Sequence, residues 1–118
     1  MKHKTAELEG AALDAAVAVA EGAVLHGRNW KWPDGVLMYR YPDIRGPDEY
    51  ERENWWAPST LWDQGGPIIE RERIEIVPLD TWIAYTSGRE HGRHGPTPLI
   101  AAMRAYVAAK LGNEIELP

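Results

Sequence analysis

The stretch Gly95-Pro96-Thr97-Pro98-Leu99-Ile100-Ala101-Ala102-Met103-Arg104-Ala105-Tyr106-Val107-Ala108-Ala109-Lys110-Leu111-Gly112 most constrains the fold of this chain. Its start and its stop are both written locally. Thr97 offers a side-chain oxygen to the free amides of a first turn, and Pro98 suits the first helical position, where its missing N–H costs nothing. Lys110 meets the negative end of the helix dipole, and Gly112 can close the helix in a left-handed conformation. Leu99, Met103, Tyr106 and Leu111 recur at helical spacing. Ala102, Ala105 and Ala109 lie around them and allow a neighbour to approach closely. Arg104 and Lys110 are the only charges in the body of the helix. Little of such a surface can face water, so the spacing predicts a core helix with other elements packed around it.

A second helix is expected from Thr5 to about Ala23, with Thr5 as its cap and Glu7 and Glu9 near the positive end of its dipole. Leu8, Ala12, Ala15 or Ala16, and Val19 form one stripe; Leu13, Val17, Ala20 and Val24 widen it. Gly10 inside this pattern costs roughly 1 kcal/mol relative to Ala. Arg28 to Tyr41 reads as a hairpin, with Trp30 and Trp32 before the turn signal Pro33-Asp34-Gly35 and Val36 to Tyr41 as the return strand. Pro42 to Asn54, rich in carboxylates, reads as a solvated excursion. Ser59 or Thr60 opens a turn of helix, and Pro67 restarts one after Gly65-Gly66, running to about Arg73. Ile74 to Val77 and Thr81 to Thr86 form a second hairpin around Pro78-Leu79-Asp80. Ser87 to Gly95 is a glycine-punctuated loop, and Glu114 to Leu117 is a short edge strand. The expected class is α+β, a small, mainly antiparallel sheet packed by N-terminal and C-terminal helices.

At 118 residues the chain is expected to form a single domain, residues 1–118, large enough to bury a core without staples. A formal charge of −5 argues against a nucleic-acid partner, which requires a basic face. The lack of cysteine removes disulfides, thiolate nucleophiles and thiolate zinc sites. Met1-Lys2-His3-Lys4 followed by an Ala/Val-rich run has the outline of a signal peptide, but Glu7, Glu9 and Asp14 interrupt the run. With no membrane span in view, a soluble protein of the cytoplasm is expected. The aromatic bulk is carried by six Trp and five Tyr with no Phe. Such amphipathic rings suit interfaces and ligand clefts, although filling the core in place of Phe is the simpler account.

Candidate chemistry is sparse. His91-Gly92-Arg93-His94 is the only histidine cluster, and no third ligand stands at a metal-site spacing, so a polar loop is the preferred reading. The carboxylates of residues 43–53 match no EF-hand loop. Arg89 and Arg93 precede the helix that opens at Thr97, whose exposed amides favour an anion. Ser59, Thr60, Asp63 and His94 could be assembled into a hydrolytic set, but nothing in their spacing supports it. Asp63 and Gln64 are expected to hold the glycine turn through local hydrogen bonds.

Two motifs act as a pair: Pro58-Ser59-Thr60, Trp62 and Gln64-Gly65-Gly66-Pro67-Ile68-Ile69-Glu70, then Gly95-Pro96-Thr97-Pro98-Leu99-Ile100-Ala101-Ala102-Met103-Arg104. With them the chain resembles the NinX-like family, small proteins of phages and prophages with no assigned activity, over most of its length except Arg28 to Asn54. The family is related to a phage alpha-beta-alpha sandwich domain, so the resemblance implies that architecture and a phage origin, hence a bacterial host cytoplasm. Family members often carry Thr-Asp-Trp where this chain has Thr60-Leu61-Trp62, so no carboxylate role passes to Leu61. The resemblance brings no catalytic residues.

Two function classes follow. The first, preferred, is a non-catalytic interaction module, an accessory protein that binds another protein or a second copy of itself through a Trp/Tyr-rich surface. The alternative is a binder of a small anionic ligand of phosphate or nucleotide type, or an enzyme acting on one. Its site would be the Trp62–Pro67 turn together with the Arg89–His94 loop, with Trp62, Gln64, Gly65, Gly66, Arg89, Arg93 and His94 as binding residues. Against that site stands the simpler account, preferred here, that Gly65-Gly66 serves close packing. No metal and no cofactor are expected.

Overall fold

The computed structural model describes residues 2–40, 55–87 and 92–118. The expected excursion from Pro42 to Asn54, and Arg89 and His91 of the expected loop, lie outside the described residues. In chain order the elements are β1 (Lys2–Lys4), a 3-10 turn (Thr5–Glu7), α1 (Gly10–Ala20), β2 (Val24–His26), β3 (Asn29–Lys31), β4 (Leu37–Arg40) and β5 (Trp55–Trp56). They continue with α2 (Trp62–Glu72), β6 (Glu75–Pro78), β7 (Trp82–Tyr85), β8 (Arg93–Gly95), α3 (Pro98–Leu111) and β9 (Glu114–Glu116). The class is α+β, as expected, with helices packed on small, mainly antiparallel sheets.

Helix α3 is built as its ends dictate. The Thr97 hydroxyl accepts the Ile100 N–H at 3.1 Å, Pro98 opens the first turn, and Gly112 ends the helix with its N–H on the Ala108 carbonyl. Leu99, Met103 and Tyr106 are buried together with Ala101, Ala102, Ala105 and Val107. Ala109, expected among the packing residues, is exposed because α3 emerges from the core in its last turn. The helix packs against α1, α2, the three strands β6, β7 and β8, and the N-terminal 3-10 turn. Buried alanines on α1 and α3 belong to one core cluster, and small side chains there let helices approach closely.

The first helix starts later than its composition suggests. α1 begins at Gly10, whose φ of +55° breaks the helical path, so Thr5 does not cap it. Thr5 is buried and tied to the far end of the chain: its hydroxyl donates to the Gly112 carbonyl at 2.6 Å and its N–H to the Asn113 carbonyl at 2.8 Å. β1 continues this contact by pairing antiparallel with β9, the expected C-terminal strand. α1 ends at Ala20, and Val24, expected on its apolar face, is exposed on β2.

The Pro33-Asp34-Gly35 hairpin is present, with β3 and β4 antiparallel, β2 added on one side and β5 joined to β4 in parallel. The second hairpin, β6–β7, is also present, and β8 pairs with β7. β8 corrects the expectation of a loop through Gly95. Its three residues carry no strand-like composition and are drawn into the ladder by β7. The sheet then lies directly on the start of α3, for a Cβ at Gly95 would stand 2.5 Å from the Ala101 nitrogen.

α2 is a second correction. It runs unbroken from Trp62 to Glu72 through Gly65-Gly66 and Pro67, rather than as two pieces around a glycine turn. Both glycines keep negative φ, and Pro67 withholds only one N–H, the one that would reach back to Asp63. The helix closes with Arg73 in the left-handed conformation (φ 53°, ψ 47°).

Candidate functional site

The residues from Trp55 to Gln64 form a bracket that fastens α2 to α1. Trp56 is buried, and its indole N–H donates to the backbone carbonyl of Asp14 at 2.9 Å. The Ser59 backbone N–H donates to Asp14 Oδ1 at 2.8 Å. Gln64 spends both ends of its amide locally: Oε1 accepts the Ala57 N–H at 2.7 Å, and Nε2 donates to the Trp55 carbonyl. Gln64 was expected to hold a glycine turn; that turn is absent, its glycines lying inside α2, and Gln64 instead holds β5 and the turn that follows it. Asp14 is itself buried inside an Ala/Val helix. Burial pushes its carboxyl up to about 6, against the opposing pull of the Ser59 backbone N–H.

Beside this bracket the hairpin and α2 form an open groove of about 300 Å³. Trp32, Val36 and Met38 contribute from the hairpin, and Trp56 from β5. Asp63, Gln64, Pro67, Ile68 and Arg71 contribute from α2, and Glu21 from the exit of α1. Trp32 and Trp56 meet edge to face, with ring centroids 4.8 Å apart and planes at 70°, a favoured arrangement for two indoles. One end of the groove is closed by charge. Arg71 Nη2 lies 2.7 Å from Glu21 Oε2, and its Nε lies 2.8 Å from Glu72 Oε2. The Tyr106 hydroxyl donates to Glu21 and accepts from Arg71, while Lys110 pairs with Glu72 at 3.3 Å. Glu21 above all, then Glu72, raises the Arg71 pKa. Burial, then Glu21, raises that of the Tyr106 phenol, and Arg71 lowers that of Glu72. This cluster ties the ends of α1 and α2 to α3.

The residues expected to bind an anion are placed as follows. Trp62 is on the first turn of α2, 55% exposed, and is not among the groove residues. Gly65 is buried: a Cβ there would meet the Pro58 carbonyl oxygen at 2.5 Å and Leu99 Cδ2 at 2.6 Å, so this position packs the helix. A Cβ at Gly66 would meet nothing within 4 Å. Arg93 and His94 are on β8. The Arg93 guanidinium donates to Asn113 Oδ1 at 2.7 Å, beyond the C-terminal end of α3, instead of facing its N-terminal turn. His94 Nδ1 lies 2.9 Å from the Thr81 hydroxyl, and the His94 carbonyl accepts from Arg104. The clefts that Arg93 lines include no residue of α2, and the groove that Gln64 lines includes none of β8. Of the hydrolytic set, Ser59 is buried against Asp14 in the turn before α2, whereas His94 stands on β8 and meets Thr81.

Among the described residues no three His, Asp or Glu side chains gather as a metal site, and no helix is long and apolar enough to cross a membrane. Asp14, Glu21, Trp32 and Arg71 were outside the expected site. For Asp14 alone there was a signal, a single carboxylate set among Ala and Val on a helix.

No curated protein matches the chain. A family model described as Bacteriophage P22, NinX matches residues 4–110, a span that includes both paired motifs, the bracket at Trp55–Gln64, α1, α2 and all of α3 but its last residue. The chain belongs to the bacteriophage P22 NinX family.

Proposed function

We propose that this member of a phage family is a non-catalytic interaction module that docks another protein on the groove formed by the β3–β4 hairpin and α2. The observation that carries the reading is the make-up of the groove. An edge-to-face tryptophan pair, Met38, Ile68 and Pro67 line an open cleft, and Val36 at its rim is 51% exposed. Trp56 and Ile68 form its buried floor, while Trp32 and Met38 are half-buried and Pro67 is exposed; aromatic and Met side chains so placed are the usual anchors of protein interfaces. Two polar side chains of this region, Gln64 and Asp14, are committed to holding the fold, Gln64 on β5 and Asp14 on Ser59.

The test is a photo-crosslinking residue introduced at Val36 in phage-infected cells, with the same residue at the remote, exposed Leu79 as control. A discrete adduct formed from position 36, lost on Met38→Glu and absent from position 79, is expected. Equal adducts from both positions, or none from position 36, would overturn the reading. The alternative, a small anionic ligand, draws support from a different place, a cleft of about 410 Å³ that Lys4 and Arg93 both line. A thermal shift with phosphate or nucleotides that Arg93→Ala abolishes would favour it instead.

A further inference from the structure

We infer that the segment docked in the groove is a basic one, an apolar side chain flanked by lysine or arginine. This rests on the reading of the groove as a protein-docking surface and adds the partner's chemistry. Among the described residues the charges that line the groove are Glu21, Asp34, Asp63 and Arg71. Arg71 is consumed from within the fold, since its guanidinium bonds Glu21 and Glu72 and touches the Tyr106 hydroxyl. It has little left for a ligand carboxylate. The two carboxylates at the other positions are exposed. Asp34 accepts the Val36 N–H at 3.0 Å, which fixes the hairpin turn, and no cation pairs with it among the described residues. Asp63 stands in the first turn of α2, and no cation pairs with it among the described residues.

The groove thus presents apolar walls with two exposed carboxylates, Asp34 from the hairpin and Asp63 from α2, and a neutralised ion cluster at Arg71. An acidic segment would bring like charge against Asp34 and Asp63. A basic one would meet both carboxylates and could set a guanidinium against the half-buried Trp32 ring, a contact that aromatic faces favour. Rim charges of this kind act mainly on partner choice and association rate.

The experiment uses the full chain and three synthetic peptides that share one Leu/Trp centre and differ only in flanks of Arg/Lys, Ser or Glu. Binding is followed by NMR shifts of the Met38 and Ile68 methyls and the Trp32 indole. The basic peptide should bind on the order of tenfold more tightly than the acidic one at low salt. Its advantage should shrink at high salt, and it should vanish in Asp34→Asn/Asp63→Asn, which keeps the oxygen that Val36 needs. If all three peptides shift the groove resonances with equal affinity, the charge inference is overturned and the docking groove stands. If none shifts them, both are overturned.

Discussion

Asp14 Oδ1 accepts the Ser59 backbone N–H at 2.8 Å across 45 residues of sequence, and both groups are buried. One carboxylate on α1 thereby sets the turn from which α2 departs. The carbonyl of the same residue holds the Trp56 indole, so a single position on α1 orients both the tryptophan at the groove and the helix beside it.

This arrangement makes stability depend on pH in a defined direction. Burial raises the Asp14 pKa from 3.8 to about 6, so the folded state holds that proton more tightly than the unfolded chain does. Its favourable contribution is complete below the unfolded value, is lost as pH rises from about 4 to about 6, and stays lost above. Two pKa units correspond to roughly 3 kcal/mol. Asp14→Asn keeps an oxygen for Ser59 and carries no charge. The stability of Asp14→Asn relative to the parent should therefore rise by about that amount between pH 4 and pH 7 in urea titrations. A difference that stays constant with pH would mean that Asp14 does not titrate in this way.

What could be read from the sequence follows from how local each instruction is. α3 was legible because Thr97, Pro98 and Gly112 act on their own neighbours, and the β3–β4 hairpin because Pro33-Asp34-Gly35 makes its own turn. β1 and β8 were not. Lys2–Lys4 becomes a strand only through Glu114–Glu116 at the other end of the chain, and Arg93–Gly95 only through β7. Gly65-Gly66 invited a break because glycine permits one, but helix packing against Pro58 and Leu99 decided otherwise. The groove needs Trp32 and Trp56 side by side, a meeting brought about by the parallel pairing of β4 with β5.

The two neighbouring glycines of α2 should respond oppositely to alanine. At Gly65 the new Cβ meets a backbone carbonyl and a buried leucine, and the carbonyl cannot step aside. A loss of about 1–3 kcal/mol is expected from overpacking. At Gly66 the space is open, and alanine should add roughly 0.5–1 kcal/mol by helix propensity. Urea midpoints check both. A Gly65→Ala variant as stable as Gly66→Ala would show that α2 does not lie against Pro58 as described.

Tyr106→Phe isolates the cluster at the end of the groove. The ring stays in the core, while the hydroxyl that donates to Glu21 and accepts from Arg71 is removed. A loss of about 1–2 kcal/mol is expected, since hydrogen bonds to charged groups are stronger than neutral ones but Arg71 here is half exposed. An unchanged midpoint would mean that the cluster holds no tension between α1, α2 and α3.

The last prediction concerns coupling between α2 and α3. Leu99 is 3% exposed and Leu79 is 66% exposed, so truncation to alanine should cost about 2–5 kcal/mol at the first and under ~0.5 kcal/mol at the second. In Leu99→Ala the methyl that would collide with a Cβ at Gly65 is gone, although the Pro58 carbonyl still stands in the way. Gly65→Ala should therefore be less damaging in the Leu99→Ala background than in the parent, and its methyl should fill part of the cavity left behind. A double-mutant cycle in urea should return a favourable interaction of about 0.5–3 kcal/mol. Strict additivity would place the cost of Gly65→Ala wholly on the Pro58 carbonyl and leave Leu99 out of the α2–α3 contact.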